Sequence, residues 1–198
     1  MTMPSTPRDR AKAERTDAIL VASARLFAER GYSGASLEDI GAAVGISGPA
    51  VYRHFAGKQA LLAALLIGVS ERLVSGGEAV SAAHDSAPER MRALVEFHVD
   101  FALGNADVIR VQDRDIAHLT ADARASVRRL QRAYIELWID ALGDIVPASR
   151  DEARLRVQAC FGLLNSTPHS TSAALRTRRS TAELLTAMAL SALLTAAG

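Results

Sequence analysis

Few side chains in these 198 residues are of kinds that make or break covalent bonds, and their spacing does not assemble them into a reactive set. The single Cys160 lies between Ala159 and Phe161 in a helical run, where a thiol reads as a small buried hydrophobe rather than a nucleophile. The histidines, at positions 54, 84, 98, 118 and 169, have no i,i+4 partner and no cysteine beside them, so no metal site is expected. Asp113 and Asp115 flank Arg114 near Arg110, a pattern of ion pairs rather than a carboxylate dyad. Neither a catalytic residue nor a cofactor is expected.

A different chemistry is offered by Tyr52, Arg53 and His54. On a helix turning 100° per residue, Val51 and Phe55 share one side, and Pro49, Ala50 and Arg53 lie opposite. An outward guanidinium can grip the two acceptors of a guanine edge in a major groove, and the flanking phenol and imidazole can reach bordering phosphates. Lys58 with the first amides of the next helix, and Ser36 with the helix it opens, are further candidate phosphate clamps. The plainer alternative is a solvated helix with an arginine on its outer face.

Such side chains need a short helix held at a fixed angle, and the sequence supplies the parts. A first helix over about 10–30 puts Ile19, Ser23, Leu26 and Phe27 on one face and stops at Gly31. Ser36, with Asp39 three residues on, opens a second helix that Gly45 breaks. Ile46 supplies an apolar residue to the turn, and Ser47 caps a third helix running to about Phe55, with Pro49 in its first turn. Two short helices around a glycine turn form a helix-turn-helix.

Gly57 precedes a long fourth helix from Lys58, expected to end near Ser75, Gly76 and Gly77. Ser86 opens a fifth that ends at Gly104, 106–119 is a sixth, whole or broken, and 121–145 a seventh. Capping boxes at Ser149/Glu152 and Ser180/Glu183 open the last two, with 165–180 a polar loop between them. No strand pattern is present. The expected fold is all-α, about nine helices, with a helix-turn-helix head over 10–57 and a helical-bundle body over 58–198.

Several residues of the head stand in one frame: Ile19-Leu20, Leu26 through Tyr32, Ser36, Ile40, Val44 through Ser47, Val51 through Phe55, Lys58 and Leu61-Leu62. This stretch resembles the signature of the TetR family of transcriptional regulators. The resemblance implies a DNA-binding head on a ligand-binding, dimerising body, with the third helix in the major groove and transcription repressed until an effector binds. By it, Ser36, Ser47, Gly48, Pro49, Tyr52, Arg53, His54 and Lys58 take DNA-contact roles. Ser36 stands where threonine is usual, keeping the hydroxyl; Gly48, Pro49 and Ala50 offer few donors, so base reading rests on Arg53.

Whole-chain charge is uninformative, with 23 basic against 22 acidic residues, although the head to Lys58 is mildly basic, at 8 against 6. The polar start and single cysteine lead to the expectation of a cytoplasmic protein without a membrane segment. In the body, Phe97, His98, Phe101, Tyr134, Trp138 and Phe161 form a candidate pocket wall for a small hydrophobic effector such as a lipid, acyl thioester or drug-like molecule. Ordinary core packing is the alternative for each ring. Val157, Phe161, Leu164, Leu184, Leu185 and Met188 suggest a helical face for a homodimer, which would read a palindromic double-stranded DNA operator. Two rivals share the head: an architectural DNA-binding protein, and an orphan regulator without an effector.

Overall fold

In the first helix, α1 (Pro7–Gly34), the Thr6 side chain accepts from the Asp9 amide, and the Asp9 carboxylate accepts in turn from the Thr6 amide. That box, with Pro7 behind it, starts the helix three residues before the expected Arg10. The regular backbone breaks at Gly31, whose φ of 79° is left-handed. The computed structural model describes residues 6–195; of the polar start, residues 1–5 lie outside the description, as does 196–198 at the end of the body. Among the described residues the chain forms eleven α-helices and a 3-10 turn, and no strand.

The head continues with α2 (Leu37–Ala43), capped by Ser36 and Asp39, and α3 (Gly48–Val51). Here α3 is shorter than expected: four residues are α-helical, and hydrogen-bonded turns carry the chain on to Phe55. Ser47 makes no side-chain cap bond, contrary to expectation; its carbonyl accepts from the Ala50 amide.

The larger departure is α4 (Lys58–Ala82), which runs straight through Ser75, Gly76 and Gly77 instead of ending there. A glycine pair read from sequence as a stop is here a point of close helix approach. A Cβ on Gly77 would stand 2.7 Å from Tyr134 Cε2 and 2.9 Å from Leu137 Cδ2; one on Gly76 would meet the Phe97 ring. Tyr134 and Leu137 belong to α7 (Ala121–Gly143), which packs along α4, and Phe97 to α5 (Ala87–Gly104). By length and composition α4 could cross a membrane, with a mean hydropathy of 1.5 over its most apolar window. It lies between α1, α5 and α7, with Leu61, Leu62, Leu66 and Val69 buried.

Between them, α6 (Ala106–Asp115) and the 3-10 turn Ile116–His118 realise the broken sixth helix. Then come α8 (Arg150–Asn165), α9 (Thr167–Ser170), α10 (Ala173–Arg176) and α11 (Arg179–Leu194). The expected polar loop 165–180 is thus two helical turns, with Thr167 and Pro168 buried. Ser180 is not a cap: α11 begins one residue earlier, and Glu183 pairs with Arg179 at 2.8 Å.

Two apolar cores result. One gathers Phe27, Ile40, Val51, Leu62, Val111 and Val127; the other gathers Met91, Leu94, Trp138, Leu142, Val157 and Leu164. Leu73, on α4, packs against both.

Alanine normally stabilises a helix over glycine by up to about 1 kcal/mol. Gly68→Ala, on the same helix with only Arg72 NH1 at 3.8 Å, should show that gain. Gly77→Ala should instead lower the melting temperature by several degrees, through overpacking of about 1–3 kcal/mol. Thermal denaturation followed by circular dichroism compares them directly, and a stabilised Gly77→Ala would contradict the close-approach account.

Candidate nucleic-acid interface and effector cavity

The turn between α2 and α3 is built around two glycines with different reasons. Gly45 has a φ of 71°, which side chains rarely tolerate. Gly41 is helical, but a Cβ there would fall 2.8 Å from the Ile46 carbonyl oxygen, so its absence lets the turn fold back onto α2. The Ile46 amide closes the turn on the Gly41 carbonyl at 2.9 Å. Val51 is fully buried and Phe55 nearly so, and Pro49 and Arg53 are exposed, as the helical wheel places them; Ala50, expected outward with them, is half-buried, and the flanking Tyr52 is exposed.

The other residues are held in different ways. Ser36 donates its hydroxyl to Asp39 Oδ2 at 2.6 Å and accepts from the Asp39 amide at 3.0 Å, so its proton is engaged in the cap. The hydroxyl bond, the Ser36 amide donating to the same carboxylate oxygen at 3.0 Å, and Arg30 at 3.3 Å keep the Asp39 carboxyl below its usual range. Ser47 is exposed, whereas Gly48 is buried against Glu38. His54 Nδ1 meets Thr16 Oγ1 at 3.0 Å; that hydroxyl already donates to the Lys12 carbonyl, so the imidazole is the donor. Lys58 Nζ donates to the Ala35 carbonyl at 3.0 Å and sits 4.6 Å from the centre of the Tyr32 ring.

Missed from the sequence was the contribution of α1. Arg8, Lys12 and Arg15 recur at helical spacing and line one groove with Arg53 and His54. The spacing was legible; its position beside α3 was not, being a tertiary fact. Arg15 NH1 also donates to the Val44 carbonyl at 3.2 Å, tying α1 to the end of α2.

Head and body meet at a polar joint. Arg114 of α6 donates to the Phe27 and Ala28 carbonyls near the break in α1, and pairs with the buried Asp115 at 3.0 Å. Gln59 donates to the His118 carbonyl at 2.8 Å, and the His118 ring stacks on Tyr32 with centroids 4.5 Å apart. Asp113 lies 3.1 Å from His169. The expected ion-pair cluster therefore resolves into pairs within α6, Arg114 with the buried Asp115 and Arg110 with Asp107, and one between elements, Asp113 with His169.

In the body, a cavity of about 210 Å³ is bordered by Leu73, His98, Gln112, Tyr134, Phe161 and Asn165, among others. His98, Tyr134 and Phe161 come together there, their ring centroids within 5.8 Å of one another. Trp138 stands behind them, fully buried, and does not line it. Phe97 and Phe101 border a separate groove beside Gly76, though the Phe101 ring reaches within 5.6 Å of His98. Burial, opposed by the Asn165 hydrogen bond, pushes His98 down to about 4. Burial also raises Tyr134, partly opposed by the Trp138 indole, though neither polar atom reaches hydrogen-bond geometry. Cys160 is buried and its thiol pushed up to about 12, an inert environment.

The proposed dimer face also needs correction. Val157 and Leu164 are fully buried in the chain's own core, and Phe161 faces the cavity. The exposed stripe is instead Leu155, Ala159 and Gly162 on α8, beside Leu184 and Met188 on the adjacent α11.

His98 also gives a pH signature. Its folded pKa lies below the unfolded value, so the unfolded chain takes up the proton first as pH falls. The stabilisation is complete above about pH 6.5 and is lost down to pH 4, on the order of 3 kcal/mol. His98→Phe should flatten the loss of melting temperature across that window; an unchanged slope would count against a buried neutral imidazole.

Comparison with known proteins follows the same division. The description "Bacterial regulatory proteins, tetR family" matches residues 19–65, and "Tetracyclin repressor-like, C-terminal domain" matches residues 84–169. The HTH-type transcriptional activator FasR of Mycolicibacterium smegmatis is 36% identical over 95 residues, 48% of this chain and 42% of its own length. The match thus spans less than half of that activator. The HTH-type transcriptional repressor KstR2 of Rhodococcus jostii is 26% identical over 84% of this chain and 82% of its own. A TetR-family regulator of known structure from Bordetella parapertussis superposes with a TM-score of 0.78 at 23% identity, over 90% of this chain and 93% of its own. With a helix-turn-helix turn that only glycines permit, an exposed Arg53 in the turn that follows α3, and both sequence descriptions matched in order, the chain belongs to the TetR family of DNA-binding transcriptional regulators.

Proposed function

We propose that the protein is a homodimeric repressor that holds a palindromic operator in double-stranded DNA and releases it when a small hydrophobic effector enters the body. The observation that carries this reading is on α6, which lends Gln112 to the cavity wall and, two residues on, Arg114 to the carbonyls of α1. A ligand that shifts α6 therefore acts on the helix that carries the head. Only an effector with different affinities for the two positions of α6 moves the equilibrium.

In this reading residues 10–57 are the DNA-binding head and 58–198 the ligand-binding and dimerisation body. Arg53 reads base edges, with the exposed Pro49 beside it, while Gly48, buried against Glu38, seats the start of α3. Ser47, Tyr52 and His54 meet phosphates, joined by Arg8 and Lys12 of the neighbouring groove. Ser36 and Lys58 act from the starts of α2 and α4, the lysine exchanging its carbonyl contact for a phosphate. A second copy covers the exposed stripe of α8 and α11, where Ala159 and Gly162 admit close helix packing. Two heads about 34–36 Å apart then span one DNA turn. Such a protein works in the cytoplasm, with no membrane partner.

An orphan regulator would have a filled body. Against that stand three buried polar atoms without a partner, His98 Nδ1, Tyr134 OH and Trp138 Nε1, clustered at or behind one cavity.

The reading is tested by mobility shift of the purified protein on DNA flanking its own gene, with excess competitor. Specific binding is expected, and Arg53→Ala should weaken it roughly tenfold or more. Lys12→Ala should weaken all DNA binding alike and reduce the salt slope by about one. Leu184→Glu with Met188→Glu should shift the protein to a monomer on gel filtration and abolish operator binding. Equal affinity of wild type and Arg53→Ala would remove Arg53 from the interface, and a wild-type monomer would remove the palindrome.

A further inference from the structure

The cavity in the body has a polar lining without charge. Gln112, Gln131, Gln158 and Asn165 contribute carboxamides and Ser70 a hydroxyl, while no Asp, Glu, Lys or Arg borders it among the described residues. Ser70 is already satisfied, donating to the Leu66 carbonyl at 2.8 Å. His98 and Tyr134 are not. His98 is 2% exposed, and its Nε2 stands 3.1 Å from Asn165 Oδ1. A carboxamide oxygen only accepts, so Nε2 carries the ring proton and Nδ1 is left with a bare lone pair and no donor facing it. The Tyr134 hydroxyl, on the ring 5.8 Å away, is equally buried and unpaired.

Each ligand class meets this arrangement differently. A hydrocarbon leaves both polar atoms unpaired in an apolar place. A carboxylate meets the Nδ1 lone pair, with no cation in the lining to replace its lost hydration. An ammonium could donate to Nδ1, but no carboxylate is present to balance its charge. A neutral hydroxyl does both tasks: its proton goes to the imidazole lone pair, and its oxygen accepts from the phenol.

We propose that this cavity selects an uncharged apolar molecule bearing a hydroxyl group, which, on a small rotation of the two rings that turns their closed polar atoms to the cavity, donates to His98 Nδ1 and accepts from Tyr134, while Leu73, Leu130 and Phe161 cover its hydrocarbon part. The proposal rests on the reading of the cavity as the effector site. At about 210 Å³ the space suits a compact molecule or the hydroxyl-bearing end of a longer one.

The test compares three probes of matched shape, 4-butylphenol, butylbenzene and 4-butylbenzoate, on the full chain at neutral pH. Trp138 is the sole tryptophan, is fully buried and lies 5.9 Å from His98, so its emission reports binding, excited on the red edge where phenols do not absorb. The phenol is expected to bind about fivefold or more tighter than butylbenzene, as one net buried hydrogen bond gives, with the benzoate weakest. Tyr134→Phe and His98→Phe, each checked for native melting, should still bind butylbenzene while the preference for the phenol falls toward unity. Butylbenzene binding as tightly as the phenol, or the benzoate binding tightest, overturns selection for a hydroxyl and leaves the cavity as a ligand site. A preference unchanged in both variants also overturns it. No response to any of the three probes overturns the effector-site reading together with the proposal.

Discussion

The orientation of the head rests on the seat of Arg114 against the end of α1. A helix that stops leaves its last carbonyls without amide partners, and the break at Gly31 leaves those of the preceding turn open to another donor. Arg114 supplies it, donating to the Phe27 and Ala28 carbonyls from α6. The guanidinium is not free to wander, because it also pairs with Asp115, whose side chain is only 3% exposed. Withdrawing the arginine would leave a buried carboxylate unpaired, a far larger penalty than losing a surface ion pair. Arg114 thus ties α6 to the end of α1 at the joint between head and body.

The remaining contacts make that coupling stiff. Through Leu61 and Leu62 α4 belongs to the head's core, and through Leu73 it reaches the body's, without a bend at the glycines that look like one. At Gly77 the missing side chain lets the Tyr134 ring of α7, which borders the cavity, lie directly against α4. Beside the Arg114 seat, Gln59 on the His118 carbonyl and Tyr32 between His118 and Lys58 add further ties. These ties hold the start of α4 against the turn after α6.

Much of this was legible in the sequence where local chemistry decides. The Ser36 and Asp39 box, the break at Gly45 and the inward Val51 and Phe55 follow from capping, glycine's low helix propensity and helical period, and all are found as expected. The misreadings of Gly76 and Gly77 and of the buried face of Val157 and Leu164 share a cause, dependence on what packs against them, whereas at Ser180 the helix starts one residue earlier and Glu183 pairs with Arg179. A glycine pair is a stop by propensity and an approach point by packing, and only the partner helix decides between them. The same holds for the aromatic residues. Helical spacing pairs Phe97 with Phe101 and Tyr134 with Trp138, yet the cavity takes one ring from α7, adds Phe161 from α8, and places His98 between them.

The unpaired atoms around that cavity bear on whether the body is merely a core. A buried donor or acceptor without a partner costs about 1–3 kcal/mol, and phenylalanine in place of His98 or Tyr134 would remove the burden without leaving a large void. His98 carries a second burden, since the folded state must keep it neutral through the mildly acidic range. A body shaped only for stability has no use for either group. Two such residues bordering the same small space, with a third polar atom at Trp138 behind them, therefore argue that the space is completed by something the chain does not itself provide. The wall they share with α6 continues to Arg114, so under the proposed function occupancy of the cavity would be linked to the position of the head.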